Sequence, residues 1–127
     1  MDAQEIFTKV ATHLLTQKQR ARGDGGIGCR YRTNHGLTCA VGCLVPEDLY
    51  DASMELTSID GVIQRARDAE LPPSLSKFVL TELDPHKDLL AALQWLHDNQ
   101  PVDAWESHLI RVAKTHRLVM PPLGEKA

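Results

Sequence analysis

The chain has 127 residues, 43% hydrophobic and 24% charged, with a net charge of −3 at pH 7. That length supports one domain with a core of its own, needing neither disulfides nor metal as staples. The balance excludes a disordered chain, and no apolar run approaches the roughly 20 residues of a membrane-spanning helix.

The opening Met1-Asp-Ala-Gln-Glu shows no basic region leading into an apolar stretch, so no secretory signal is expected. Three cysteines are few and odd in number, which reads as reduced thiols and a cytoplasmic location. Charge is segregated. Lys18 to Arg32 carries +4, whereas Thr33 to Gln64 has no Lys or Arg and carries −5. Such a pattern means one basic and one acidic surface, or a salt-bridge network between the two.

The first helix is marked by Ile6, Phe7, Val10, Ala11, Leu14 and Leu15, which recur on one helical face. Asp2 and Glu5 have the spacing of a capping box. The helix should fade between Gln17 and Ala21, where Gly23, Gly25, Gly26 and Gly28 make a flexible loop. Asn34-His35-Gly36 is then a turn signal for a β-hairpin. Its alternation puts Cys29, Tyr31, Thr33, Leu37, Cys39 and Val41 on one apolar face. Arg30, Arg32, Thr38 and Ala40 fall on the other, facing solvent or a partner. Pro46 suits the first turn of a short helix to about Tyr50.

The second half reads as helical. Ile59, Val62, Ile63 and Ala66 form a short amphipathic helix, which Leu71-Pro72-Pro73 breaks. Ser74 can cap a piece carrying Leu75, Phe78, Val79 and Leu83. Asp84-Pro85 signals a new start, with Leu89, Leu90, Leu93, Leu96 and His97 on one face. Gln100-Pro101 ends it. Val102, Trp105, Leu109, Val112, Ala113 and His116 mark the last helix. These elements predict an α+β fold, mostly α-helical, with about five helices and one short β-hairpin near residues 28–41. The domain is single, residues 1–127, with a frayed tail over 119–127.

Three chemistries have candidate residues. Zinc has Cys29, Cys39, Cys43 and His35, but no Cys-x-x-Cys pair, and His35 sits at the turn, far from Cys43. A cysteine nucleophile could use Cys43, just before a predicted helix, with one of six histidines as base; sequence cannot show the required geometry. Phosphate or nucleic acid could be held by Arg20, Arg22, Arg30 and Arg32 around the glycines, with Tyr31 stacking a base. Neither a P-loop nor a dinucleotide fingerprint is present. The isoelectric point near 6.0 is low for a dedicated nucleic-acid binder. Trp105 lies on the apolar stripe of the last helix. Trp95 lies off the Leu89-Leu93-Leu96 stripe: it covers a groove, marks a partner surface, or is one of the singly exposed aromatics that are common on surfaces.

The order Cys29-x-Tyr31-Arg32, Gly36, Cys39-Ala40-Val41-Gly42, Leu44-Val45-Pro46-Glu47-Asp48-x-Tyr50 and Met54-Glu55 resembles a family of small bacteriophage and prophage-like bacterial proteins without an established activity. The likeness continues through Leu93-Gln94-x-Leu96-His97-Asp98, Trp105 and Leu109, and so covers most of the chain. Cys43, Ser53 and Leu56 depart from it. The resemblance implies a phage-related accessory protein, of a kind that regulates or inhibits host or defence machinery.

The favoured expectation is therefore a non-catalytic protein that binds a host or phage protein, or a small phosphate-bearing ligand, with no cofactor and no metal. A homodimer is compatible with the segregated charge. The alternatives are a small enzyme built on cysteine or zinc, and a nucleic-acid-binding regulator. Candidate binding residues are Arg20, Arg22, Arg30, Tyr31, Arg32, His35, Glu47, Asp48, Tyr50 and Glu55. Four arginines within thirteen residues need a nearby anion. It is either the chain's own Glu47–Asp51 stretch or a ligand.

Overall fold

The computed structural model describes residues 1–21, 30–33, 36–55 and 57–121. Its first helix, α1 (Ala3–Gln17), is capped as its sequence demands. Asp2 accepts the Glu5 N–H at 2.8 Å and Glu5 accepts the Asp2 N–H at 2.9 Å. Ile6, Phe7, Val10, Ala11 and Leu14 are buried along one side. Lys18 ends the helix in the left-handed conformation, with φ 52°.

Among the described residues four further α-helices follow: α2 (Ile59–Arg67), α3 (Pro73–Phe78), α4 (Lys87–Asn99) and α5 (Trp105–His116). Helix α4 is the central one, packed against α1, α2 and α5. It buries Leu89, Leu90, Leu93, Leu96 and His97. Trp105 is fully buried at the start of α5 and stacks on His97 with 5.5 Å between ring centres. No helix among the described residues is long and apolar enough to cross a membrane.

The expected β-hairpin is absent, and with it the α+β class: the described residues form a helical fold without a strand. The two segments meet only in one isolated antiparallel bridge, between Arg32 and Thr38. Gly36 turns the chain with φ 82°, a value that suits glycine. Across the bridge the Leu37 carbonyl accepts from Thr33 at 2.8 Å and the Tyr31 carbonyl accepts from Cys39 at 3.2 Å, but the return bond from the Tyr31 N–H is missing, because the Glu55 carboxylate takes that amide at 2.9 Å. The Arg32 N–H, which points away from the Thr38 segment, goes to the same carboxylate at 3.1 Å. Beyond the bridge the chain coils at once, as Cys43 N–H reaches back to the Cys39 carbonyl at 3.0 Å. The expected two-faced alternation therefore fails at Ala40, which is buried beside Cys39 and Val41.

Three smaller expectations are also corrected. Pro46–Tyr50 is a turn rather than a helix, and single 3₁₀ turns flank it at Gly42–Leu44 and Ala52–Met54. Asp84-Pro85 does not start a new helix. The chain stays helical from α3 through a wide π turn at Val79–Leu83 and a tight one at Asp84–His86 into α4. Pro85 has no N–H to give to the preceding turn, so the winding loosens before it: the Asp84 N–H bonds Val79, five residues back. Ser74 lies inside the first turn of α3, whose cap position is Pro72.

Candidate functional site

Glu55 is the electrostatic centre of the first half of the chain. It is only 5% exposed, yet it sits among donors. Besides the two backbone amides, it accepts the Tyr50 hydroxyl and pairs with the Arg30 guanidinium at 3.7 Å. Arg65 holds the same turn from the other side by donating to the Ser53 and Glu55 carbonyls. Arg32 stacks on the Tyr50 ring, 4.8 Å from its centre, and donates to the Val45 carbonyl at 3.2 Å. A buried carboxylate persists because each oxygen has partners; without them its desolvation would be prohibitive.

The anion beside Arg30 is thus Glu55, which lies outside the Glu47–Asp51 stretch. Glu47 and Asp48 stand exposed in the turn after Pro46 and make no ion pair among the described residues. Asp51 instead caps its own 3₁₀ turn through Ser53, and those hydrogen bonds lower its carboxyl below the usual range. Arg30, Tyr31, Arg32, Tyr50 and Glu55 are brought together; Arg20 is not among them. It clamps the end of α4, donating to the carbonyls of His97, at 3.1 Å, and Gln100. Next to it, the Ala21 N–H donates to His97 Nε2 at 3.1 Å. An amide can only donate, so Nε2 accepts and the ring proton sits on Nδ1, which donates to Asp98 at 2.7 Å. Arg22, Cys29 and His35 lie outside the described residues.

Burial governs the titrating groups here. It pushes Tyr50 up to about 12, with the Glu55 carboxylate adding to the effect. It pushes Cys43 up to about 12, and Cys39 and Tyr31 upward as well. The Cys39 sulfur accepts the Gly42 N–H at 3.3 Å, and Cys43 donates to the Ala40 carbonyl at 3.1 Å. Both thiols stay protonated at neutral pH, the opposite of what a nucleophile requires. Among the described residues no three His, Cys, Asp or Glu side chains converge as a metal site would need.

The open surface lies next to this network. A cleft of about 470 Å³ runs between Arg30 and Tyr31, the start of α2 and one flank of α4. Thr57, Ser58 and Asp60 form one wall; Gln94, Trp95 and Asp98 form the other. Tyr31 is almost wholly buried, and its hydroxyl donates to the Thr57 carbonyl, so its ring is not offered for stacking. Trp95 is 54% exposed. It also borders a second cleft, of about 220 Å³, between α4 and α5, where Leu96 and Val112 form the floor and His108, Arg111, Thr115 and His116 the rim. Trp95 meets His108 edge to face at 6.5 Å. The position of Trp95 off the apolar stripe was the signal for this face. Asp60, Asp98 and Arg111 carried none, being ordinary charged residues of amphipathic helices.

Comparison of the chain with protein-family models, with curated proteins and with solved structures gives no match.

Proposed function

We propose that this chain is a non-catalytic binding protein, a phage-related accessory protein of the kind its motif resembles, and that it holds a protein partner through the face around Trp95. It would act in the cytoplasm, where thiols such as Cys39 and Cys43 stay reduced.

One observation carries this reading: a large aromatic ring, half exposed, stands between two clefts. Tryptophan is enriched among the residues that carry most of the energy of protein interfaces. A phosphate-bearing ligand or nucleic acid is less well supported. Arg20 is spent on backbone carbonyls, and Arg30 and Arg32 on Glu55 and its surroundings. The larger cleft adds two carboxylates, Asp60 and Asp98, which repel phosphate.

A photo-reactive benzophenone amino acid placed at position 95, and separately at exposed Glu70, tests the proposal in extracts of a host cell. Discrete covalent adducts at position 95 and not at position 70 are expected. The same pattern at both positions, or no adduct at 95, removes the proposal.

A further inference from the structure

The two flanks of Trp95 differ in sign. On the side of the larger cleft stand Asp60 and Asp98, while Arg30 there is already turned toward Glu55. On the other side stands Arg111, with the imidazoles of His108 and His116, and no carboxylate among the described residues lines that cleft. The surface of α4 between them is low: Ala91 is exposed and Ala92 half-buried beside the tryptophan.

A partner for this ridge needs an apolar centre, a basic group opposite Asp60 and an acidic group opposite Arg111. The chain presents that pattern itself when rotated by half a turn. A two-fold axis through the Trp95 ridge sets the acidic flank of each copy against the basic flank of the other, satisfying both contacts at once. We infer that this face pairs with a second copy of the chain about a two-fold axis running along α4, so that Trp95 of each copy meets Trp95 of its partner. The inference rests on the reading of Trp95 as a docking surface and names its first occupant. The existing Asp60–Lys87 ion pair, 4.0 Å long and exposed on both sides, contributes too little to compete.

Sedimentation equilibrium of the full chain between about 1 and 500 μM reads the pairing directly. The wild type should form a dimer. Arg111→Glu and Asp60→Lys each place like charges face to face twice, and each should weaken the dimer on the order of tenfold or more. Mixed in equal amounts, these two variants should recover wild-type affinity, because every facing pair is then opposite in sign. Trp95→Ala should be monomeric, with an unchanged circular dichroism spectrum. A wild type that stays monomeric, a Trp95→Ala protein that dimerises as well as wild type, or a mixture no tighter than its components overturns the inference. The cross-linker at position 95 separates this from the parent reading. An adduct of twice the chain mass supports self-pairing. A foreign adduct alone, with a monomeric wild type, overturns only self-pairing.

Discussion

The Glu55 carboxylate lies 2.9 Å from the backbone nitrogen of Tyr31, so a buried side chain receives an amide that a neighbouring strand would otherwise take. This contact, with the coil that begins at Cys39, ends the pairing of a sequence that carries turn chemistry at Gly36. It also ties the most basic segment of the chain to its acidic one.

Glu55→Gln tests how much rests on that carboxylate. The amide keeps the shape but turns one acceptor oxygen into a donor facing donors, and it removes the charge that Arg30 pairs with. We expect a loss of about 3 kcal/mol, measured as a lowered urea midpoint. A loss under about 1 kcal/mol would show that the network is redundant.

Gly42 should not accept a side chain. A Cβ at this position would lie 1.9 Å from the Tyr31 carbonyl oxygen, which is backbone and cannot swing away. Gly42→Ala should cost about 3 kcal/mol or more, or prevent folding, whereas Gly36→Ala meets no atom and is penalised only for its positive φ. Equal melting temperatures for the two variants would contradict this.

Ala69 offers the opposite case. It sits at φ 59°, just past α2, where the Glu70 N–H closes the helix end on the Arg65 carbonyl at 2.8 Å. That is a left-handed cap in which glycine avoids the Cβ clash. Ala69→Gly should raise stability by about 0.5–1 kcal/mol. A lowered melting temperature would refute the argument.

Alkaline pH should destabilise the protein before the unfolded chain is fully deprotonated. Cys43 titrates near 9.0 when free and near 12 when folded; Tyr50 near 10.0 and 12. Both are acids whose neutral form the fold prefers. Their contribution is complete below about pH 9 and is lost as pH rises toward 12, because the unfolded state releases its protons first. Urea midpoints at pH 8, 9.5 and 11 should fall in order, and Cys43→Ala should flatten the first part of the fall. Neither Cys39 nor Cys43 should react with iodoacetamide at pH 8 in the native state.

Much of the helical part was legible because it depends on near neighbours. The Asp2–Glu5 box and the stripe from Ile6 to Leu14 are local patterns, and α1 follows them residue by residue. The same holds for α4 and α5. The stretch from Arg30 to Glu55 was not legible. Its shape is set by a partner more than twenty residues away in sequence, since Glu55 captures the Tyr31 amide, which local rules assign to a ladder. Asp84-Pro85 misled for a related reason: the pair is a start signal in isolation, but packing on α2 keeps the preceding turn helical and the winding absorbs the proline. At the candidate site, Trp95 could be singled out by its place off the stripe. The opposite charges beside it became meaningful only once α2, α4 and α5 were assembled.

The Arg30 N–H bonds the Ala21 carbonyl at 2.6 Å. On one side of this contact, Ala21 is fastened to His97 in α4; on the other, Tyr31 is fastened to Glu55. Ala21 and Arg30 are thus clasped to each other through backbone, and each end of the clasp is fixed to a different partner. Loosening His97 therefore also loosens the hold of Glu55 on the chain, although the two side chains do not touch the same residue.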